Sequence, residues 1–365
     1  MWWIFSCTIL ICVLYFALIL IFYIGWKRIN SFVPKGNELI TTELSVIVAC
    51  RNEEDNIRQL IGCLAQQSFQ NFELILVNDH SEDATRNYII TAQAAFPKIK
   101  LIDAVGFGKK NALKEGILNS THELIVTTDA DCLPSYHWLE SIACFYEKYP
   151  GDLIICPVKL SGKDNLFSYL QVLEFTSLIA SAAGSAGAGM PVMCNGANLV
   201  FTKKSWLKSQ ADLHEEQQSG DDMFLLESIK KRNGIIRFLK SESAFVTTGL
   251  ARTLGEFIKQ RRRWTSKSSA YTDGQIIFTA SVVLSINLLS LVLVSLSFFK
   301  PAVLVVLLSV FLFKYIVDMA FLHTVRKFFQ LNNIWIYSLL LSLIYPFYVV
   351  FIVFSALLFK PGKWK

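Results

Sequence analysis

The sequence has no CxxC pair and no zinc-type spacing among its eight cysteines. Cys50, Cys63, Cys132, Cys144, Cys156 and Cys194 scatter through the middle of the chain. That excludes a disulfide framework of the secreted type and points to buried thiols in a reducing compartment. Charge is scarce too. Only 18% of the 365 residues are charged, against 53% hydrophobic, and the mean hydropathy is +0.42. Such a chain is too apolar for an ordinary soluble enzyme and too charged for a bare membrane bundle, so a soluble domain joined to several spans is expected. The net charge of +6 is a small surplus, which basic residues beside membrane spans account for. No nucleic-acid partner is expected. The first apolar run also lacks a basic n-region and a small-residue cleavage site. Residues 2–24 carry no charge and are long enough to cross a bilayer, so they are expected to remain as an anchor.

Lys27 and Arg28 follow that run at once, which puts its far end in the cytosol. Three more apolar runs close the chain, at about 276–299, 301–322 and 334–359. Arg261, Arg262, Arg263 and Lys267 flank the second run on the side of Lys27, as do Arg326 and Lys327. The expected organisation is an anchor (1–26), a catalytic domain (41–245), an interfacial segment (246–275) and about three closing helices (276–359). This describes a multi-pass protein of the cell (inner) membrane with its catalytic domain in the cytosol. Lys360, Lys363 and Lys365 then fall outside, so the orientation of the last span is left open. Lys314 and Asp318 sit i,i+4 inside the third run, either as an ion pair facing the bundle or as a polar lining for a lipid head group. Residues 166–189 are apolar and rich in small residues, which suits a surface resting on the membrane.

The soluble part alternates between two periods. Residues 44–49, 73–77, 99–102 and 124–128 are short apolar, β-branched runs. Residues 53–66, 84–95 and 109–118 have helical character, with Ile57, Leu60, Ile61 and Leu64 on one face of the first. Strands and helices in alternation with short loops predict an α/β fold with a mostly parallel, Rossmann-like sheet. Ligands of such sheets bind beyond the carboxyl ends of the strands.

Those ends carry the chemistry. Arg51, Asn52, Glu53 and Glu54 follow the first strand; Asn78, Asp79, His80 and Ser81 the second; Gly106, Gly108, Lys109 and Lys110 the third; Asp129 and Asp131 the fourth. Any one of these sets is ordinary loop chemistry, but four in succession mark a site. Asp129-Ala130-Asp131 places two carboxylates at one strand end, able to hold a hard cation that neutralises a leaving diphosphate. Gly108-Lys109-Lys110 at a helix start offers N–H groups and cations to an anion. Asp79 can accept hydrogen bonds from a base or ribose, or cap the following helix. Asp221 and Asp222 precede a helix expected over 223–232, and can serve as caps. Gln260-Arg261-Arg262-Arg263-Trp264 lies just before a span, where basic and aromatic residues also form interface belts.

The ordered set Asp79, Asp129-x-Asp131, Gly220-Asp221-Asp222 and Gln260-x-x-Arg263-Trp264 resembles the D, DxD, D, QxxRW signature of the family 2 glycosyltransferases, over about residues 41–275. That group includes cellulose, chitin and hyaluronan synthases. The resemblance implies a GT-A fold, a nucleoside-diphosphate sugar donor (usually UDP), Mg2+ or Mn2+, and inversion at the anomeric carbon. It implies nucleotide or donor contacts for Arg51, Glu53, Asp79, Lys109 and Asp129, and a metal ligand in Asp131. Asp222 would be the general base. Gln260, Arg263 and Trp264 would hold the diphosphate and the acceptor end, and Cys194-Asn195-Gly196-Ala197-Asn198 resembles the loop lining the acceptor site. Thr247-Thr248-Gly249 departs from the pattern, since synthases of the group often carry an acidic residue there. The expected partners are a nucleotide-sugar donor, a lipid or membrane-associated glycan acceptor, the membrane itself and other envelope-assembly proteins. Transfer of one or a few sugars to a lipid or lipid-linked acceptor is the leading expectation, with processive synthesis and polymer export as the alternative. Two further classes also fit in part: a membrane-bound nucleotidyltransferase or sugar-phosphate transferase, which leaves Arg263-Trp264 unexplained, and a non-catalytic scaffold, against which the full set of carboxylates speaks.

Overall fold

The computed structural model of the protein describes residues 2–34, 39–162, 165–213 and 220–358. They form two units, one α/β and one helical. The first helix, α1 (Trp2–Arg28), belongs to the helical unit. The α/β unit, residues 29–161 and 193–249, is built on β1 (Leu44–Cys50), α2 (Ile57–Ala65), β2 (Phe72–Asn78), α3 (Thr85–Ala95), β3 (Ile99–Asp103), α4 (Lys109–Leu118) and β4 (Leu124–Thr127). These are the expected elements. One boundary moves: the first helix starts at Ile57 rather than 53. The Asn56 side chain donates to Glu53 Oε2 at 2.7 Å and the Ile57 N–H to Glu53 O at 2.8 Å, which closes residues 53–56 into a turn. Every residue of β1 is buried. An unbroken apolar run of this kind fits a parallel strand covered on both faces.

The chain continues through β5 (Leu133–Pro134), α5 (Trp138–Lys148), β6 (Leu153–Ile155) and β7 (Val158–Ser161), and leaves the unit for α6 (Leu166–Gly187). It returns with β8 (Leu199–Thr202), α7 (Lys203–Ser209), α8 (Asp221–Lys231), β9 (Ile236–Phe238) and β10 (Val246–Gly249). The main sheet runs in the order β3-β2-β1-β4-β8-β6-β9. Strands β1 to β4 pair in parallel, and β8 is antiparallel to both β4 and β6. From β1 the chain steps to β2 and β3 on one side, then to β4 on the other. The order therefore reverses between β1 and β4, which is where open α/β sheets form a binding crevice. Strands β5, β10 and β7 make a second, small sheet.

The helical unit holds α1, α6, α9 (Leu254–Thr265), α10 (Gly274–Ser297), α11 (Ala302–Val325) and α12 (Ile334–Leu358). Among the described residues five helices are long and apolar enough to cross a membrane: α1, α6, α10, α11 and α12. Four are expected from hydropathy. The fifth, α6, has a window hydropathy of 1.3 against 2.2–2.8 for the others, and 56% of that window is buried in the fold. Its residues face protein, so small and polar side chains are tolerated there. At its crossing with α1, a Cβ on Gly25 would lie 1.9 Å from Gly184 O, and one on Gly184 would lie 2.4 Å from Phe22 O. Only glycine lets these backbones touch, as in small-residue contacts between membrane helices.

Lys314 is buried and pairs with Asp318, whose other oxygen accepts from Tyr15 on α1. The ammonium also lies 5.4 Å from the Tyr15 ring and 5.1 Å from that of Tyr345. This is the ion pair within the bundle. Breaking one half of a buried pair commonly costs about 3–5 kcal/mol, whereas removing both charges is often near neutral. Lys314→Leu alone should therefore lower the thermal unfolding midpoint in detergent more than the Lys314→Leu/Asp318→Leu double replacement does. A double variant as unstable as the single would show that the pair is not the cause.

Candidate active site

Asp79 closes β2 and has no solvent exposure. Its carboxylate accepts from the Gly108 N–H at 3.0 and 3.1 Å. Arg51 Nη1 from the end of β1 lies 3.7 Å away, and His80 Nδ1 lies 3.1 Å from the other oxygen. One buried charge thus ties together the ends of β1 and β2 and the start of α4. Gly108 has φ +94, a conformation that L side chains rarely adopt, and this turn brings its N–H onto Asp79. Phe107 stacks on the His80 ring with centroids 4.0 Å apart. Glu53 spends its carboxylate on the turn before α2.

The next residue, Lys109, places its ammonium on Asp129 at the end of β4. Asp131 lies two residues on. Ligand atoms of Asp129, Asp131 and Cys132 all fall within 4.8 Å of one another. Burial first, then the charges of Asp129 and Asp131, push the Cys132 thiol well up, so sulfur is protonated and a poor partner for a hard cation. Two carboxylates remain, one of them exposed, and they suit Mg2+ or Mn2+ chemistry. Asp131 also accepts from Thr248 Oγ1 at 3.4 Å. A cleft of about 260 Å³ opens here, lined by Asn56, Gln59, Asp131, Ser161, Thr247 and Thr248 among others. Thr247 and Thr248, the departure from the family pattern, thus line the cleft with neutral hydroxyls instead of a carboxylate.

Asp222 sits in the first turn of α8, not before it: the helix starts at Asp221, and Gly220 caps it without a side-chain bond. Asp222 Oδ2 accepts from the Gly196 N–H at 3.1 Å, and Thr127 Oγ1 of β4 donates to Gly196 O at 3.1 Å. The base candidate is therefore linked through one glycine to the strand that carries Asp129 and Asp131. The 194–198 loop is tied down by side-chain hydrogen bonds. Asn195 folds its own side chain onto the Ala197 N–H at 3.0 Å. Buried Asn198 bonds Pro157 O and Ala244 O and accepts from Trp138 Nε1. Asp221, beside the base candidate, is half-buried and pairs with Lys110 at 3.3 Å; its carboxyl is raised by desolvation, with the lysine opposing. Neither the Lys110–Asp221 pair nor the anchoring of Asn198 is marked in the sequence, because each partner lies far along the chain.

Gln260, Arg263 and Trp264 lie on α9 of the helical unit. The basic run is not uniformly exposed. Arg261 is 3% exposed and forms a bidentate pair with Glu174.

The description Glycosyl transferase family 2 matches residues 45–207. That stretch of the chain is similar to a family 2 glycosyltransferase domain. Over 197 residues, 51% of this chain, it is 28% identical to a poly-beta-1,6-N-acetyl-D-glucosamine synthase of Staphylococcus epidermidis. Over 252 residues, 67% of the chain, it is 23% identical to the enzyme of that name from Staphylococcus aureus. The matched stretches are 46% and 60% of those relatives' own length. A solved mannosyltransferase from Pyrobaculum calidifontis, in complex with GDP-Man and Mn2+, superposes with a TM-score of 0.58, covering 97% of this chain and 99% of its own. Identity there is 16%, so it shows a shared fold.

Loss of a group that merely supports a metal ligand commonly costs about 10–100-fold in affinity. Asp131→Ala would remove a candidate ligand outright, so titration with Mn2+ should show affinity falling by at least about tenfold. Unchanged Mn2+ affinity would place the ion elsewhere.

Proposed function

We propose that this transferase moves a sugar from a nucleoside-diphosphate sugar, UDP-linked by family resemblance, to a lipid-linked or membrane-associated glycan acceptor, with inversion at the anomeric carbon. The α/β unit faces the cytosol, where such donors are made, and the spans hold it at the inner membrane beside a lipid-borne acceptor and other envelope-assembly proteins. The observation that carries the reading is the chain Thr127–Gly196–Asp222, which joins the base candidate to the strand bearing the Asp129-x-Asp131 carboxylates.

In the reaction Asp222 takes the proton of the acceptor hydroxyl as that oxygen attacks the anomeric carbon. The bond from that carbon to the diphosphate oxygen breaks on the opposite face. One displacement suffices, so no sugar–enzyme bond forms. Asp131, with Asp129, would hold Mg2+ or Mn2+, whose charge offsets that of the diphosphate. Lys109 moves from Asp129 to the phosphates when donor is present, and Arg263 adds a second cation. Asp79, saturated by Gly108, Arg51 and His80, keeps the glycine turn and Lys109 in place for the nucleotide. Gln260 and Trp264 serve the diphosphate and the acceptor end, and Asn195 and Gly196 the acceptor side.

A second reading is processive polysaccharide synthesis. It is favoured by the names of the two staphylococcal relatives, both polymer synthases. Product length separates the two: short lipid-extractable glycans from purified protein in vesicles support the first, and a long polymer made by the single chain supports the second.

Removing a general base commonly costs about 10²–10⁴-fold in rate. Asp222→Asn should lose transfer by that factor while still binding the sugar nucleotide. Near-normal turnover would reject Asp222 as the base.

A further inference from the structure

The helical unit contains a buried charge pair that catalysis as described above does not use. Glu174 on α6 and Arg261 on α9 are each only 4% exposed at the side chain. Arg261 Nε lies 3.1 and 3.2 Å from the two Glu174 oxygens, and Nη2 donates to Oε2 as well. Tyr348 on α12 donates to Glu174 Oε1 at 3.0 Å. One carboxylate thereby gathers three helices.

The arginine also reaches into its own helix. Its Nη1 donates to Gln260 Oε1. Its guanidinium lies 4.2 Å from the Trp264 ring and 4.6 Å from the Phe257 ring. Phe257, Arg261 and Trp264 are spaced i−4, i and i+3, one face of a helix. A planar guanidinium can stack between two rings and fork onto a carboxylate at once; an ammonium cannot. Three residues before Glu174 on α6, Gln171 both donates to Ala251 O at 3.1 Å and accepts from Ala251 N at 3.0 Å, pinning the backbone just ahead of α9.

We propose that Glu174 and Arg261 are positioning residues for transfer: the pair clamps α9 to α6 and α12 and holds Gln260 and Trp264 in fixed orientations. The bond from Arg261 to Oε1 fixes which way round the Gln260 amide sits, so its NH2 group, a donor, lies on the other side. An amide that donates suits an oxygen-rich ligand such as a diphosphate or a sugar hydroxyl. The arginine at the second position of the motif thus sets what the first and last positions offer. This inference rests on the role proposed above for Gln260 and Trp264.

The test needs a variant that folds. A lone Arg261→Met would strand the Glu174 charge, whereas Glu174→Leu/Arg261→Met removes both charges, a change that buried pairs often tolerate. The double variant should keep its thermal midpoint within a few degrees, yet its kcat should fall about 10–100-fold with little change in donor KM, as expected for about 1 Å of misplacement. Arg261→Lys, which keeps the charge but not the fork, should also lose kcat. Adding Gln260→Ala to the double variant should cost little more, although Gln260→Ala alone is slow. Wild-type kcat in the double variant, or a Gln260→Ala cost equal in both backgrounds, would overturn the clamp. Hydrogen exchange separates this from failure of the functional reading: whatever the donor, α9 amides should lose protection in the double variant while α10 to α12 keep theirs. Unchanged α9 protection would also overturn the proposal.

Discussion

Asp79 is a carboxylate without solvent exposure, and a buried charge must be met by donors or it is expelled. Here Gly108 N–H, Arg51 and His80 meet it. Each donor comes from a different strand end or turn, so satisfying one charge assembles the rim of the sheet. The consequence propagates along the chain. The bond to Gly108 fixes the turn into α4, the turn points Lys109 at Asp129, and Asp129 stands beside Asp131. On the other side of β4, Thr127 and Gly196 carry the same order to Asp222. The charges of the rim are thus held in place by the fold itself, the kind of preorganisation on which electrostatic catalysis relies.

The helical unit solves a related problem in a drier medium. Buried charges there are costly, and two pairs meet that cost: Lys314 with Asp318, and Arg261 with Glu174. Tyrosines complete both pairs, Tyr15 on Asp318 and Tyr348 on Glu174. Elsewhere the unit relies on close backbone contact, as at Gly25 and Gly184.

Much of this is legible in the sequence because it is local. β1 to β4 and α2 to α4 follow from apolar runs and helical spacing, and the rim residues follow from position after each strand. What escapes is what depends on distant partners. The segment that becomes α6 is less hydrophobic than the other four candidate spans, and more of it is buried in the fold, so it stands out less in the sequence than they do. Arg261 looks like its basic neighbours Arg262 and Arg263; its partner Glu174 is 87 residues away. Asp222 resembles a helix cap and does accept from the Met223 N–H, but its other oxygen accepts from Gly196, 26 residues back. Asn195 looks like a ligand-facing amide, but its carbonyl oxygen is taken by the Ala197 N–H.

The central claim is that the rim handles an activated sugar with a divalent cation. The most direct measurement is release of nucleoside diphosphate by the purified wild-type protein in lipid vesicles, across a panel of sugar nucleotides, with and without chelator. The account predicts release from one donor class, stopped by chelator and restored by Mn2+ or Mg2+. No release from any donor in the presence of membrane acceptor, or release undiminished in chelator, would contradict it.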